Sequence, residues 1–126
     1  MPQYLLATYL PDDFDPSTIT EETVEAIHAL NREIVAAGAE RFACGLSPAS
    51  HAKTLQKQPN GKVSVTDGPY IETKEHIGGL MILEAANLDE AIAWARKGVA
   101  AGGGGVVELR EILFYPDPKE APGGSD

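Results

Sequence analysis

The sequence predicts an α+β domain in which one antiparallel sheet carries two helices. Three observations lead there. Short runs of aromatic, aliphatic and β-branched residues alternate with two amphipathic stretches of helical period, each stretch opens on a capping sequence, and an Asn60-Gly61 turn joins two alternating segments between them. With 126 residues, 43% of them apolar and 23% charged, the chain suits a single domain that buries about two thirds of its unfolded surface.

Gln3 to Tyr9 is rich in residues that fit a pleated, half-buried surface and stops at Pro11-Asp12-Asp13, which predicts a first strand. Thr18-Ile19-Thr20-Glu21 has the spacing of a capping box, and Glu21, Glu22 and Glu25 suit the positive end of a helix dipole. A helix is therefore expected from near Thr20 to a left-handed cap at Gly38, with Val24, Ile27, Leu30, Ile34 and Val35 on its inner face. Arg41 to Leu46 reads as a second strand, ended by Ser47-Pro48. Ala52 to Gln58 and Lys62 to Thr66 flank Pro59-Asn60-Gly61, and Asn-Gly predicts a type I′ hairpin whose packed face is Leu55, Val63 and Val65.

Asp67-Gly68-Pro69-Tyr70 is a turn in which Gly68 can take positive φ, and Ile77 to Glu84 resumes a buried strand. Asn87-Leu88-Asp89-Glu90 forms a second capping box. Leu88, Ala91, Ile92, Ala95 and Val99 continue it as a helix that ends at Gly98 or in the Gly102 to Gly105 run. Val106 to Leu113 is the last strand of a domain spanning 1–115. Residues 116–126, rich in Pro and Gly, are expected to be a flexible tail.

Strand, helix, strand, inserted hairpin, strand, helix, strand amounts to two βαβ halves. Right-handed crossovers fold these into a ferredoxin-like antiparallel sheet with both helices on one face. The other face is too apolar to stay bare in a soluble monomer, so a homodimer packed sheet against sheet, of the dimeric α+β barrel type, is expected.

Nineteen acidic against ten basic residues give a formal charge of −9, which deprives nucleic-acid binding of its main electrostatic term. The balance is uneven, because residues 41 to 66 carry four bases and no acid. No apolar run approaches the ~18 residues of a membrane span, and the start Met1-Pro2-Gln3-Tyr4 lacks the marks of a signal peptide. A single cysteine, Cys44, excludes an internal disulfide and a cysteine-based zinc cluster. A cytoplasmic protein whose partners are itself and a small polar molecule is the expectation, with neither nucleic acid nor membrane among them.

The most distinctive stretch is Asp67-Gly68-Pro69-Tyr70-Ile71-Glu72-Thr73-Lys74-Glu75, directly before a buried strand. These residues suffice for an ordinary solvated turn. Alternatively, Asp67, Glu72 and Glu75 gather around Lys74 at a cleft mouth, where mutual interactions tune a carboxylate for acid-base work. On the first helix, His28 falls on the flank of the apolar face and Asn31 near its middle. Either the two fasten the helix by a satisfied hydrogen bond, or they line a pocket between helix and sheet in which His28 is a general base.

His51 and His76 share no helix with another histidine at the i, i+4 spacing, so no metal site and no cofactor are expected. Cys44, amid Phe42, Ala43 and Leu46, reads as a buried, inert thiol. The Gly102 to Gly105 run precedes a strand rather than a helix, and reads as a loop rather than a phosphate cradle.

DGPYIETKE followed by HIGGL resembles the signature of the YCII-related family, in particular its DGPF-motif branch. The likeness extends from the YLLATY strand through the helix ending in AAG, the FACGLSP strand and the DEAIAWA helix to the VVELREI strand. Two departures stand out: Tyr70 replaces the customary Phe, and Gly98-Val99 stands where members often carry Cys-Pro. The resemblance implies a ferredoxin-like, commonly dimeric domain without a settled reaction. It also implies an acid-base site using a His and Asp pair, whose His on the first helix corresponds to His28. The enzyme reading of these residues takes His28 as base and Asp67 as its orienting or acidic partner, the two catalytic residues, with Asn31, Tyr70, Glu72, Lys74 and Glu75 contacting substrate. The alternative is a non-enzymatic dimeric interaction or sensing module linked to transcriptional or stress regulation.

Overall fold

The computed structural model describes residues 1–102 and 105–122. In chain order the elements are β1 (Gln3–Pro11), α1 (Glu21–Ala36), β2 (Glu40–Gly45), β3 (Lys53–Lys57), β4 (Val63–Asp67), β5 (Glu75–Glu84), α2 (Leu88–Ala101) and β6 (Val106–Glu111). Four strands form a sheet in the order β2-β5-β1-β6, every neighbouring pair antiparallel, while β3 and β4 make a separate two-stranded sheet. The fold is thus α+β with an antiparallel sheet and two helices.

The sheet's alternation decides what is core. Tyr4 and Leu6 of β1, Met81 and Leu83 of β5, and Val107 and Leu109 of β6 share the face toward the helices, where Ala91, Trp94 and Ala95 of α2 close over them. Tyr4, Leu83, Ala85 and Ala91 are fully buried there. α1 sits more lightly. Only Ile34 of its apolar stripe is buried, and Val24, Ile27 and Val35 each keep more than a third of their surface exposed. On the reverse face Leu5, Ile82 and Phe42 stand in one row and Ala7, Leu80 and Cys44 in the next, with Phe42 still 53% exposed.

Both helices start where the capping chemistry is. Thr20 accepts a hydrogen bond from the Thr23 N–H at the head of α1, two residues later than a box beginning at Thr18 would have it. Thr18 instead closes a short turn, donating its hydroxyl to the Asp15 carbonyl. Asn87 caps α2 through the Glu90 N–H at 2.9 Å, and the Glu90 carboxylate reaches back to the Ala86 N–H at 3.0 Å. These bonds satisfy backbone donors that a helix start otherwise leaves free. Gly38 has the left-handed φ of 69° expected at the end of α1, and α2 runs through Gly98 to Ala101.

The hairpin departs from expectation in two ways. Its turn is not type I′, because only Gly61 has positive φ, 87°. The Gly61 N–H bonds the Gln58 carbonyl and the Gln58 N–H bonds the Lys62 carbonyl, the pattern of a type I turn followed by a bulge. Pro59 explains the choice, since its fixed φ suits the first central position of a type I turn and not the positive φ of type I′. Nor do Leu55, Val63 and Val65 form a packed face: they are 64%, 58% and 61% exposed, because β3 and β4 pair with each other and not with the main sheet.

Cys44 is also a correction. The thiol is exposed rather than buried, since β2 is an edge strand and Cys44 lies on the sheet's uncovered face. β1 and β5 pair with one irregularity. Thr8 opposes Gly79 and Tyr9 opposes Ile77, so Gly78 is skipped, and Leu10 fills the space its side chain would need. Of the expected tail, residues 123–126 lie outside the described residues, as do 103 and 104 of the glycine run.

Candidate acid-base site

The site grows from the end of β1 and the start of β5. These strands are antiparallel neighbours, and Pro11 opposes Glu75 while Leu10 opposes His76. The chain leaving β1 and the chain entering β5 therefore meet, and the Asp12 N–H donates to the Lys74 carbonyl at 2.7 Å. That backbone bond sets the Asp12 carboxylate beside the imidazole: His76 Nδ1 lies 2.6 Å from Asp12 Oδ1. On the other side of the ring, Nε2 lies 3.0 Å from the Ile71 carbonyl oxygen.

Both partners are acceptors, so only an imidazolium, which donates from both nitrogens, satisfies the arrangement. The Asp12 hydrogen bond first, then the Ile71 carbonyl, raise the His76 pKa above its ordinary 6.5, and the desolvation of a side chain only 16% exposed works weakly against them.

The loop over this ring is the DGPYIETKE stretch. Gly68 takes φ of 94°, its N–H bonds the Ala52 carbonyl and its carbonyl accepts the Thr54 hydroxyl, so the turn is anchored to the start of β3. Asp12, His76, Asp67, Ile71, Glu72 and Lys74 line an open groove of about 480 Å³. Asp12 and His76 also border a second hollow of about 300 Å³ against Phe14, Leu46 and Pro48. The pair therefore stands between two concavities. The 1–115 stretch of the chain matches the YCII-related domain. The chain belongs to the YCII-related domain family. An uncharacterized protein of Rhizobium meliloti is 35% identical to it over 103 residues, covering 81% of this chain and 82% of that protein.

In this YCII-related domain the residues singled out from the sequence separate into three places. Asp67, Glu72 and Lys74 do share the groove, but they do not gather around Lys74: Asp67 pairs with Lys53 at 2.5 Å, across the register position that joins β3 to β4. Tyr70, 73% exposed, and Glu75 stand outside the groove lining. Asn31 is half-buried and lines a different cavity, between the helices and the sheet. His28 is exposed on α1 and lines none of these spaces, because α1 turns it past the edge of the stripe that faces the sheet. No hydrogen bond joins His28 to Asn31 among the described residues, and His28 and Asp67 line no common groove.

Asp12 and His76 are what sequence reasoning missed. Asp12 looked like the stop signal of a strand and His76 like the lead-in to one. The usable signal was topological, since an order that sets β5 and β6, the third and fourth strands of the main sheet, on either side of β1 makes β1 and β5 antiparallel neighbours, which brings the end of one to the start of the other. Among the described residues no three His, Cys, Asp or Glu side chains converge as a metal-binding group, and no helix is long and apolar enough to cross a membrane.

Proposed function

We propose that this YCII-related domain binds a small polar molecule in the groove under the loop of residues 67–75 and transfers a proton to it from His76. The doubly donating His76 ring carries the reading. Asp12 fixes the ring and holds the proton on Nδ1, and the Nε2–H points at a backbone carbonyl that an incoming acceptor atom can replace by a small movement of the Ile71 peptide. After transfer, the neutral ring keeps its Nδ1–H on Asp12 and is recharged from solvent. Glu72 and Lys74 supply charges of both signs for orientation, Tyr70 and Glu75 form the outer rim, and Asp67 stiffens it through Lys53. His76 takes the part that the resemblance gave to His28.

The same proposal includes the DGPF-motif branch, on the strength of DGPYIETKE, and a ferredoxin-like homodimer, supported by the strand order and by Phe42, exposed at the end of the half-buried row Leu5 and Ile82 on the reverse face. The exposed thiol of Cys44 suits a reducing, cytoplasmic setting. A second reading, a dimeric interaction or sensing module, is favoured by the exposed apolar face of Leu55, Val63 and Val65 on the hairpin.

A fragment screen by NMR tests the enzyme-like reading. Small polar hits should shift amide resonances of residues 67–76, and His76→Gln should abolish those shifts while leaving the spectrum of the rest of the domain intact. Hits that map elsewhere, or that bind His76→Gln as well as the parent, would refute it.

A further inference from the structure

A cavity of about 440 Å³, open to solvent, lies between α1, the later turns of α2 and the sheet. Its floor is Leu6, Met81, Leu83 and Val107, its roof Ile27, Leu30 and Ile34 of α1 with Trp94 and Val99 of α2. Interiors of folded domains are packed as densely as organic crystals, so α1 and the sheet leave an open cleft here rather than a finished core. The walls of the cleft are mostly aliphatic and aromatic, with Asn31 and Thr8 as the polar exceptions. The volume falls in the range of small-molecule sites, roughly 300–1,000 Å³.

Two features indicate what fits. Trp94 is the aromatic residue on the lining, with the Lys97 ammonium 5.2 Å from its ring centroid, and an indole favours a planar ring as its neighbour by offset stacking. Asn31 and Thr8 are the polar side chains on the lining, both half-buried, and neither side chain hydrogen-bonds to another described residue. A primary amide, which can both donate and accept, at the edge of an apolar chamber recognises a hydroxyl or carbonyl group. Ile27 and Val99, 36% and 45% exposed, border the opening to solvent. Gly98 keeps the α2 wall open, since a side chain added there meets nothing closer than Leu30 at 4.0 Å.

We infer that the chamber between the helices and the sheet is a binding site for a planar, mostly apolar molecule carrying one hydrogen-bonding group, distinct from the groove at His76. Such a molecule stacks on Trp94 and sets its polar group on Asn31, and it completes the core that α1 leaves open.

Trp94 is the chain's single tryptophan, so its emission reports the chamber directly. Titration with 4-nitrophenol, which quenches indole emission, should give a saturable loss of fluorescence. Asn31→Leu should weaken 4-nitrophenol by about tenfold, the worth of one hydrogen bond in an apolar site, and leave nitrobenzene unchanged. Gly98→Leu should fill the chamber and abolish saturable quenching by both, while melting no lower than the parent. His76→Gln should leave both titrations unchanged, which separates this site from the acid-base groove. Linear, unsaturable quenching of the parent, or parent-like binding in Asn31→Leu, would overturn the inference. If Gly98→Leu is unfolded by circular dichroism, Ala95→Leu replaces it with the same expected loss, and saturable binding retained in that folded variant would also overturn it.

Discussion

Asp12 lies one residue beyond β1 and His76 one residue inside β5, and the antiparallel pairing of those strands brings the Asp12 carboxylate to 2.6 Å from the His76 ring. A folded-state pKa raised above the ordinary 6.5 has a definite sign in stability. The ion pair's contribution is fully present below the unfolded pKa, where both states hold the proton, and it is lost as pH rises through the folded pKa. The difference in melting temperature between the parent and His76→Gln should therefore be largest below pH 6.5 and shrink above it. Asp12→Asn should remove most of that pH dependence. Thermal melts from about pH 5.5 to 9 check both.

Gly68 has nothing within 4 Å of where a side chain would begin, so its positive φ of 94° is the only obstacle to substitution. Gly68→Val should cost more than ~1 kcal/mol and Gly68→Asn distinctly less, because Asn tolerates the left-handed region and a β-branched residue does not. Urea unfolding of the two variants provides the comparison, and equal costs would mean the loop rearranges.

Asn87 anchors α2 by its side chain. Asn87→Ala should destabilise by about 1 kcal/mol and Asn87→Ser by much less, since a serine hydroxyl still accepts the N–H at the helix start. Chemical denaturation reads the difference directly.

Leu83 is fully buried under α2 beside Tyr4. Leu83→Ala should cost about 2–5 kcal/mol, from the lost burial together with the void it leaves. Val35→Ala, on the open side of α1, should stay within about 1 kcal/mol. A similar cost for both would mean that α1 packs more closely in solution.

Light scattering at micromolar concentration should give twice the 13.4 kDa chain mass. Phe42→Asp, which puts a charge on the reverse face of the sheet beside Ile82 and Leu5, should return the protein to one chain mass without lowering its helix content. A parent that scatters as a single chain would remove the dimer.

Local chemistry was legible in the sequence where one residue type has one physical use: Asn87 as a cap, Gly38 and Gly68 at positive φ, Pro11 as a strand end. The order of strands and helices followed from hydrophobic period together with these caps, turns and stops. Packing was less legible. Val24, Ile27 and Val35 have the right spacing for a buried stripe, and period says which residues share a face but not how closely that face approaches its neighbour. The same blindness hid the hairpin's exposure, because Leu55, Val63 and Val65 alternate as a half-buried strand does. His28 was singled out because helical position can be computed from spacing, whereas His76 gains its meaning from Asp12, 64 positions away, across a pairing that no local window contains.

Gly78 gives this site an arithmetic side. Residues of a strand take turns between its two faces, and a single uncounted residue reverses the turns for everything that precedes it in β5. The reversal puts His76 on the side of Leu10 and Asp12, and Ile77 on the other. Were Gly78 to take a place in the ladder, Leu10 would oppose Ile77 and Pro11 would oppose His76, and the imidazole would stand on the opposite face of the sheet with neither member of the pair altered. The dyad is thus encoded in odd and even as much as in His and Asp. A chain that kept both side chains but paired Gly78 into the ladder would keep the letters of the site and none of its geometry.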